Sequence, residues 1–423
     1  MKKLFSTFSV AAALTLGLTA CGGGSSEKTS ADPKELTAWA WNINVPVLEQ
    51  AAEEFEKENP GFKLNVVETG TGDVYSKLTT GLQAGGKGLP DIVLVEDDRV
   101  QGYMNAFPKA FLNVSEKGFD EHADKFPTYK KELLTKDGNV YGFPFDGGPT
   151  GVFYRTDYFE QAGIKAEDIQ TWDDFVEAGK VIKEKVGVDF IGLDLNGDDG
   201  LYRMMLNQQG SFYFDEAGKI DLTSKESQQA MDVNKKLKDA EIVRNTVGWD
   251  AWVSSMAEGK VAVAPSGAWL AGSLTQQAVD TKGKWGVFPL PAFEEGENRA
   301  SNLGGSNYMI LSSSEKADLA YDFMEFFSTS DETQLEAMKG GLFPSLNTIY
   351  DNELFTANDE FFSNQAVWKV FADQMADIPA VNYTENYSLA KDEAIKAQSE
   401  ITNGKAIEKA LEEATSRLEN RIK

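Results

Sequence analysis

Cysteine and histidine each occur once in the 423 residues, as Cys21 and His122. A lone cysteine excludes an internal disulfide, so the fold does not depend on the cross-links that support small secreted domains. With a single histidine, and no G-x-S-x-G elbow, histidine-based Ser-His-Asp hydrolysis has nothing to work with. His122 stands in "FDEHADKF", amid charges, and reads as a solvent-facing side chain. Glycosidase chemistry needs only two carboxylates, and Asp and Glu are abundant, so composition leaves it open. Long runs of one charge are also missing. The 67 acidic and 41 basic side chains give a net charge of −26, with the acids spread over predicted helices, a pattern that repels nucleic acid and anionic lipid. Past the first twenty residues no stretch approaches the ~20 apolar residues of a spanning helix. No repeat at a solenoid period is visible.

The N-terminus explains where the cysteine stands. Met1-Lys2-Lys3 is cationic, Leu4 to Leu18 is mostly apolar, and Leu18-Thr19-Ala20 supplies the small residues tolerated before a signal-peptidase cut. A catalytic thiol needs a base and an ordered pocket, and "GGGSS" offers neither. Leu18-Thr19-Ala20-Cys21 resembles the lipobox of bacterial lipoproteins, which implies that Cys21 becomes the lipidated first residue of the mature chain. Each buried methylene of an acyl chain contributes roughly 0.8 kcal/mol, so a multiply acylated terminus holds to a membrane surface. Residues 1–20 are then the leader and 21–33 a lipidated, flexible polar tether, which places the globular part on the outer side of the cytoplasmic membrane. Loss of Lys2 and Lys3 leaves 39 basic against 67 acidic side chains, a charge of −28.

The length that remains is too great for one core and predicts two α/β domains. "LTAWAW" reads as a strand, followed by a helix that Asn44 to Pro46 begins, with Val47, Leu48, Ala51, Ala52 and Phe55 on its apolar face. "KLNVVE" is a second strand, Val74 to Ala84 a second helix and "DIVLVE" a third strand, which makes a βαβαβ unit with a parallel sheet. In "YGFPFDGGPTGVFYR" Gly and Pro interrupt a strand-like pattern, as expected where a chain crosses between domains through unusual backbone angles, here Asp146 to Thr150. Pro289 and Pro291 mark a second crossover, and the chain ends in a helix from Ile407 to Ile422. The domains are expected over 34–146 plus 292–351 and over 150–289 plus 352–423.

Ligands of open parallel sheets bind beyond the carboxyl ends of strands. Those ends carry Trp39, Trp41 and Asn42 after the first strand and Glu96, Asp97, Asp98 and Arg99 after the third. "ETGTGDVY" lacks the third glycine of a dinucleotide fingerprint and reads as the start of a helix. "DLNGDDG" fails as a calcium loop, with Asp199 at the sixth place and Met205 at the twelfth, and reads as a polar loop facing a cleft. Trp172, Trp285 and Trp368 are expected in the core. Turn residues surround Trp41, Trp249 and Trp269 instead, and flat aromatic platforms beside acids, amides and arginine suit the apolar face and hydroxyl rim of a sugar.

From about Leu36 to its end the chain resembles the extracellular solute-binding proteins of carbohydrate ABC importers, the family of the maltodextrin binder. The segments that carry the resemblance are "LPDIVLVEDDRVQGY", "MAEGKVAVAPSGAWLAG", "KWGVFPLPAF", "SNLGGSNYMIL" and "AIEKALEEATSRL". It implies an α/β, two-domain periplasmic-binding-protein-like fold of type II, with mainly parallel sheets, a hinge and an interdomain cleft. It also implies that Asp98-Arg99 meets sugar hydroxyls and that Trp269 stacks on a sugar ring. The expected ligand-binding residues are Trp41, Asn42, Asn44, Glu96, Asp98, Arg99, Asp146, Trp249, Trp269, Gly305, Tyr383 and Tyr387. Glu96 and Asp97 make the strand end more acidic than in the maltodextrin binder, and "AVNYTENYSLAK" replaces its aromatic segment near the C-terminus, so the sugar is not carried over. The expected function is capture of an oligosaccharide for delivery to an ABC permease, by a monomer without cofactor, metal or catalysis. A surface glycosidase, or a receptor for a cationic solute such as a polyamine, is the alternative.

Overall fold

The computed structural model describes residues 34–423, so Cys21, the leader and the tether lie outside the described residues. The order of elements begins as the periodicity predicts. β1 (Glu35–Ala40) leads into helix Asn44–Glu58, β2 (Lys63–Glu68) into helix Thr71–Gln83, and β3 (Ile92–Glu96) into helix Asp97–Ala106. β1 pairs in parallel with β2 on one side and β3 on the other. Val47, Leu48, Ala51 and Phe55 recur at helical spacing and are the buried stripe of their helix. β3 is apolar on both faces because helices cover both, and Ile92 to Val95 are fully buried.

A short hairpin, β4 (Thr135–Lys136) and β5 (Asn139–Val140), precedes β6 (Phe143–Arg155). β7 (Asp189–Leu193), β8 (Val243–Asn245) and β9 (Val261–Gly267) form the second parallel group, β10 (Trp285–Phe288) pairs with β6, and β11 (Asn302–Ile310) returns to β3. Among the described residues the strands join in the order β2-β1-β3-β11-β6-β9-β7-β8. The helix Trp172–Lys185 that covers β7 opens on a capping box, with the Thr171 hydroxyl accepting from Asp174 N and the Asp174 carboxylate accepting from Thr171 N.

β6 is where expectation and structure part. Gly147, Gly148 and Pro149 do not break it, and no residue from Asp146 to Thr150 has a positive φ. One continuous strand serves both groups, pairing with β11 through Pro149 and with β9 from Thr150 onward. Glycine is needed for close approach rather than for unusual angles. A Cβ on Gly148 would lie 2.3 Å from the Leu303 carbonyl oxygen. The second passage also differs. Residues beyond Pro289 stay with the second group, where Ala292 N donates to Gln170 O at 2.8 Å and Arg299 Nη2 to Pro289 O at 2.9 Å. The chain passes back at Ser301 to Ser306, where Thr150 N donates to Ser301 O and Gly305 stands opposite Gly147. Prolines cannot donate to a ladder, whereas this stretch is held by one.

Trp172 and Trp285 are core as expected, while Trp368 is only partly buried, against Phe343 and Phe371. His122 is only partly solvent-facing, its side chain 25 % exposed. Its ring packs by Phe119, and Nε2 lies 3.2 Å from a Glu325 carboxylate oxygen, because the short helix that carries it folds onto helix Ala317–Thr329. Among the described residues no helix is long and apolar enough to cross a membrane.

Candidate functional site at the strand ends

β1 ends at Ala40, and the next residues turn at once into a helix. Asn42 adopts a left-handed φ of 51° and is exposed, and Trp41 is tucked beneath, 8 % exposed, edge-on to Tyr75 at 6.1 Å. Asn44 does not face solvent. It is the first residue of the helix, 4 % exposed, and its Nδ2 donates to the Trp41 carbonyl at 3.0 Å, so it fixes the turn that carries Trp41. Tyr75 was visible in the sequence only as the residue spoiling a glycine fingerprint. Its hydroxyl donates to Glu96 Oε2 at 2.9 Å and accepts from Glu96 N at 3.0 Å, and the Arg99 guanidinium lies over its ring, 5.5 Å from the centroid. Burial, and then the neighbouring Asp98 charge, pushes the Glu96 carboxyl above its usual range.

Helix Asp97–Ala106 belongs to the first strand group, yet its outer face meets the segment 383–388. Arg99 Nη1 donates to Ser388 Oγ at 3.0 Å, Asn105 Nδ2 to Glu385 at 3.1 Å, and Tyr383 N to Gln101 Oε1 at 2.7 Å. Tyr383 and Tyr387 are 7 % and 3 % exposed and pack on Phe212, so these rings form a wall rather than free platforms. Beside them stands Arg203, whose Nη1 donates to the Tyr387 hydroxyl. Arg203 also lies 3.9 Å from Asp98 Oδ2 and 4.0 Å from Asp199 Oδ1. Asp194 and Asp198 use their carboxylates locally, accepting from Asn196 N and Gly200 N. Among the described residues no three His, Cys, Asp or Glu side chains are arranged to hold a metal ion.

The free aromatic surface lies elsewhere. Gly248, at φ +78°, turns the chain into helix Gly248–Ala257, and Trp249 in its first turn is 45 % exposed. Trp252 is one turn on, and Trp269 stands just before helix Leu270–Gln277. The three ring centroids are 5.6, 5.8 and 6.3 Å apart, with the Trp269 Nε1 donating to the Leu303 carbonyl of β11 at 2.8 Å. Helical spacing alone makes Trp252 look like a core residue, so the sequence does not mark it.

Asp146 and Gly305 occupy the junction of β6 and β11. Gly305 has φ +97°, and a Cβ there would meet Asp97 Oδ2 at 2.7 Å and Asp146 O at 2.9 Å. Burial pushes the Asp146 carboxyl up to about 7, the nearby Lys130 charge opposing and Asp97 adding to the rise. The residue keeps some surface, but its Oδ1 has none and no hydrogen-bond partner. The anchor of this junction is Lys130, wholly buried, which donates to Asp97 Oδ1 at 2.5 Å, Asp146 O at 2.9 Å and Ser306 O at 3.0 Å. Lys130 carried one signal, its place beside Tyr129, Leu133 and Leu134 on the apolar face of helix Thr128–Leu134. Glu96, Asp98, Arg99, Tyr383 and Tyr387 thus come together, Trp249 and Trp269 form a second cluster, and Asp146 and Gly305 belong to the junction between strand groups.

The bacterial extracellular solute-binding protein profile matches residues 42–334, well over half of the chain. A lactose-binding protein of Rhizobium radiobacter is 38 % identical over 89 % of this chain and 88 % of its own length. An arabinooligosaccharide-binding protein of Bacillus subtilis is 27 % identical over 98 % of this chain and 99 % of its own. Among solved structures, an ABC transporter associated binding protein from B. animalis subsp. lactis, in complex with β-1,6-galactobiose, superposes with TM-score 0.69 at 29 % identity, covering 91 % of this chain and 96 % of that one. The sugar-binding protein MalE of Xanthomonas citri shares the fold at TM-score 0.79 and 19 % identity, over 91 % and 96 % of the two chains.

Proposed function

Since the chain belongs to the bacterial extracellular solute-binding proteins, we propose that it captures a short oligosaccharide between two lobes and hands it to an ABC permease. The observation that carries this is the exposed Trp249 ring beside Trp252 and Trp269, an aromatic floor fixed at the strand ends. Such a floor desolvates a sugar face, and the carboxylates, guanidinia and phenols around Arg203 and Asp98 supply partners for hydroxyls. Relatives named for lactose and arabinooligosaccharides, and the galactobiose complex, support the same ligand class. A polyamine fits less well, because Arg99 and Arg203 already answer Asp98.

The lobes divide where β6 and β11 run side by side, at Asp146 to Thr150 and Ser301 to Ser306, and closing about these strands buries the ligand. Binding shifts the open–closed equilibrium through the ligand's differential affinity for the closed form. Cys21 tethers the monomeric receptor to the outer face of the membrane. No bond is made or broken, so incubation with oligosaccharide should release no reducing ends. The deciding experiment is a thermal-shift screen with lactose, β-1,6-galactobiose, arabinooligosaccharides, maltodextrins, putrescine and spermidine. At 100 times its dissociation constant a ligand adds about 2.7 kcal/mol, roughly 3 °C for a domain of this size. A shift from the amines with none from any sugar would overturn the proposal.

A further inference from the structure

Helix Gly200–Gln208 is buried along its whole length except at Arg203, whose side chain keeps 16 % of its surface. An arginine adds nothing to that core that a leucine would not, and it reaches across to the helix of the other strand group. There it stops short. The Arg203 to Asp98 and Arg203 to Asp199 separations of 3.9 and 4.0 Å are ion pairs but not hydrogen bonds. Arg203 Nε, Asp98 Oδ1 and Asp199 Oδ1 are all shielded from solvent, and none has a hydrogen-bond partner within the protein. Each has an opposite charge at ion-pair distance, Arg99 Nε 3.5 Å from Asp98 Oδ1, and Lys391 Nζ 3.6 Å and Arg203 Nε 4.0 Å from Asp199 Oδ1, but the hydrogen bonds given up with hydration are not replaced.

The groups are nevertheless held firmly. Asp199 is 1 % exposed, accepts from the Tyr213 hydroxyl and lies 3.6 Å from Lys391 Nζ, while Arg203 is fixed by Tyr387. Cations and carboxylates balance: Arg99, Arg203 and Lys391 stand against Glu96, Asp98 and Asp199. A balanced, rigid set of unused donors and acceptors suits a neutral group that can donate and accept at once. A hydroxyl does both, and two adjacent ring hydroxyls match the paired N–H directions of a guanidinium while donating to the carboxylates on either side.

Resting on the oligosaccharide function above, we propose that Arg203, Asp98 and Asp199 form a subsite that reads a vicinal diol of a neutral sugar ring, with Arg203 as the specificity-determining residue. Asp98 comes from one lobe and the other two from the opposite lobe, so a diol seated here also joins the lobes.

The test titrates the folded protein calorimetrically with lactose, β-1,6-galactobiose and arabinotriose. The tightest of the three becomes the probe, and its singly deoxygenated derivatives are then compared. Two derivatives lacking adjacent hydroxyls should bind the parent about 10- to 150-fold more weakly than the probe, the range for a hydrogen bond to a charged group. Arg203→Met should bind the probe more weakly and discriminate against those two derivatives by a smaller factor than the parent does. A loss that is equal for every derivative would make Arg203 a lobe-closing contact only and overturn the subsite. Asp98→Asn, which keeps the side-chain shape, carries the same comparison if Arg203→Met does not fold. If none of the three binds, the probe is taken from the sugars that shift the melt in the wider screen, and a parent that binds no sugar there refutes the oligosaccharide function as well. A parent that binds without discriminating any derivative refutes the subsite alone.

Discussion

Lys130→Met probes the junction most directly. The ammonium is fully buried and all three of its donors are used, on Asp97, on the Asp146 carbonyl in β6 and on the Ser306 carbonyl in β11. Methionine keeps the volume and removes the charge, which leaves Asp97 buried with only Asn307 and Asn302 as donors. An unpaired carboxyl there folds in its protonated form, so its folded-state pKa lies above the unfolded one. Its cost therefore grows as pH rises. Holding it protonated at pH 7 costs up to about 1.4 × 3, or roughly 4 kcal/mol, and about 1.5 kcal/mol at pH 5. The first figure lies within the ~3–5 kcal/mol measured when one partner of a buried pair is removed. An unfolding entropy of about 2.1 cal/mol/K per residue gives roughly 0.8 kcal/mol/K over residues 34–423, so Tm should fall by about 5 °C at pH 7 and about 2 °C at pH 5. Circular-dichroism melts of parent and variant without ligand measure both. A drop below about 1 °C at pH 7, or the same drop at both pH values, would refute the account of Lys130 as the counter-ion of Asp97. Adding Asp97→Asn should restore most of the loss.

Trp249→Ala should weaken sugar binding by about 2–4 kcal/mol, roughly 30- to 700-fold, while leaving Tm unchanged, because the ring is 45 % exposed. Trp269→Ala should lose affinity too, and also about 1 kcal/mol of stability from its bond to Leu303; calorimetry with melts separates the two, and unchanged affinity in both variants would remove the aromatic floor from the site. Asp146 titrates near 7 in the folded protein against 3.8 as a free group, so its neutral form stabilises at low pH and that contribution is lost as pH rises through 7. Asp146→Asn should therefore gain on the parent at pH 8, by up to about 4 kcal/mol, and by almost nothing at pH 4, as read from urea unfolding at the two pH values. Cys21→Ser should leave the melt unchanged and move the protein out of the membrane fraction; equal retention would remove the lipid anchor.

Much of the first strand group was legible because its signals are local. Val47, Leu48, Ala51 and Phe55 mark a helix by spacing alone, and "DIVLVE" marks a doubly covered strand by its unbroken apolar run. Asp98 and Arg99 stand just past the end of β3 and Trp269 just past β9, the positions that the strand and turn signals around them mark. Asn44 was misjudged because a helix-start asparagine looks alike whether its amide turns outward or back to Trp41. Arg203 and Lys130 were missed for a different reason. Each is a cation on the buried face of its helix, and its partner is a carboxylate on another element, Asp98 or Asp97.

The sequence by itself determined the alternation of strands and helices and the aromatic and acidic residues at the strand ends. Those features follow from periodicity and side-chain chemistry, which act over a few residues. Only the tertiary structure decided that β6 runs unbroken through Gly147 to Thr150, that the return passage lies at Ser301 to Ser306, and that Arg203 faces Asp98. Strand register, burial of a charge and the pairing of distant ions depend on which surfaces pack together, and residues more than a hundred positions apart carry no local trace of that meeting.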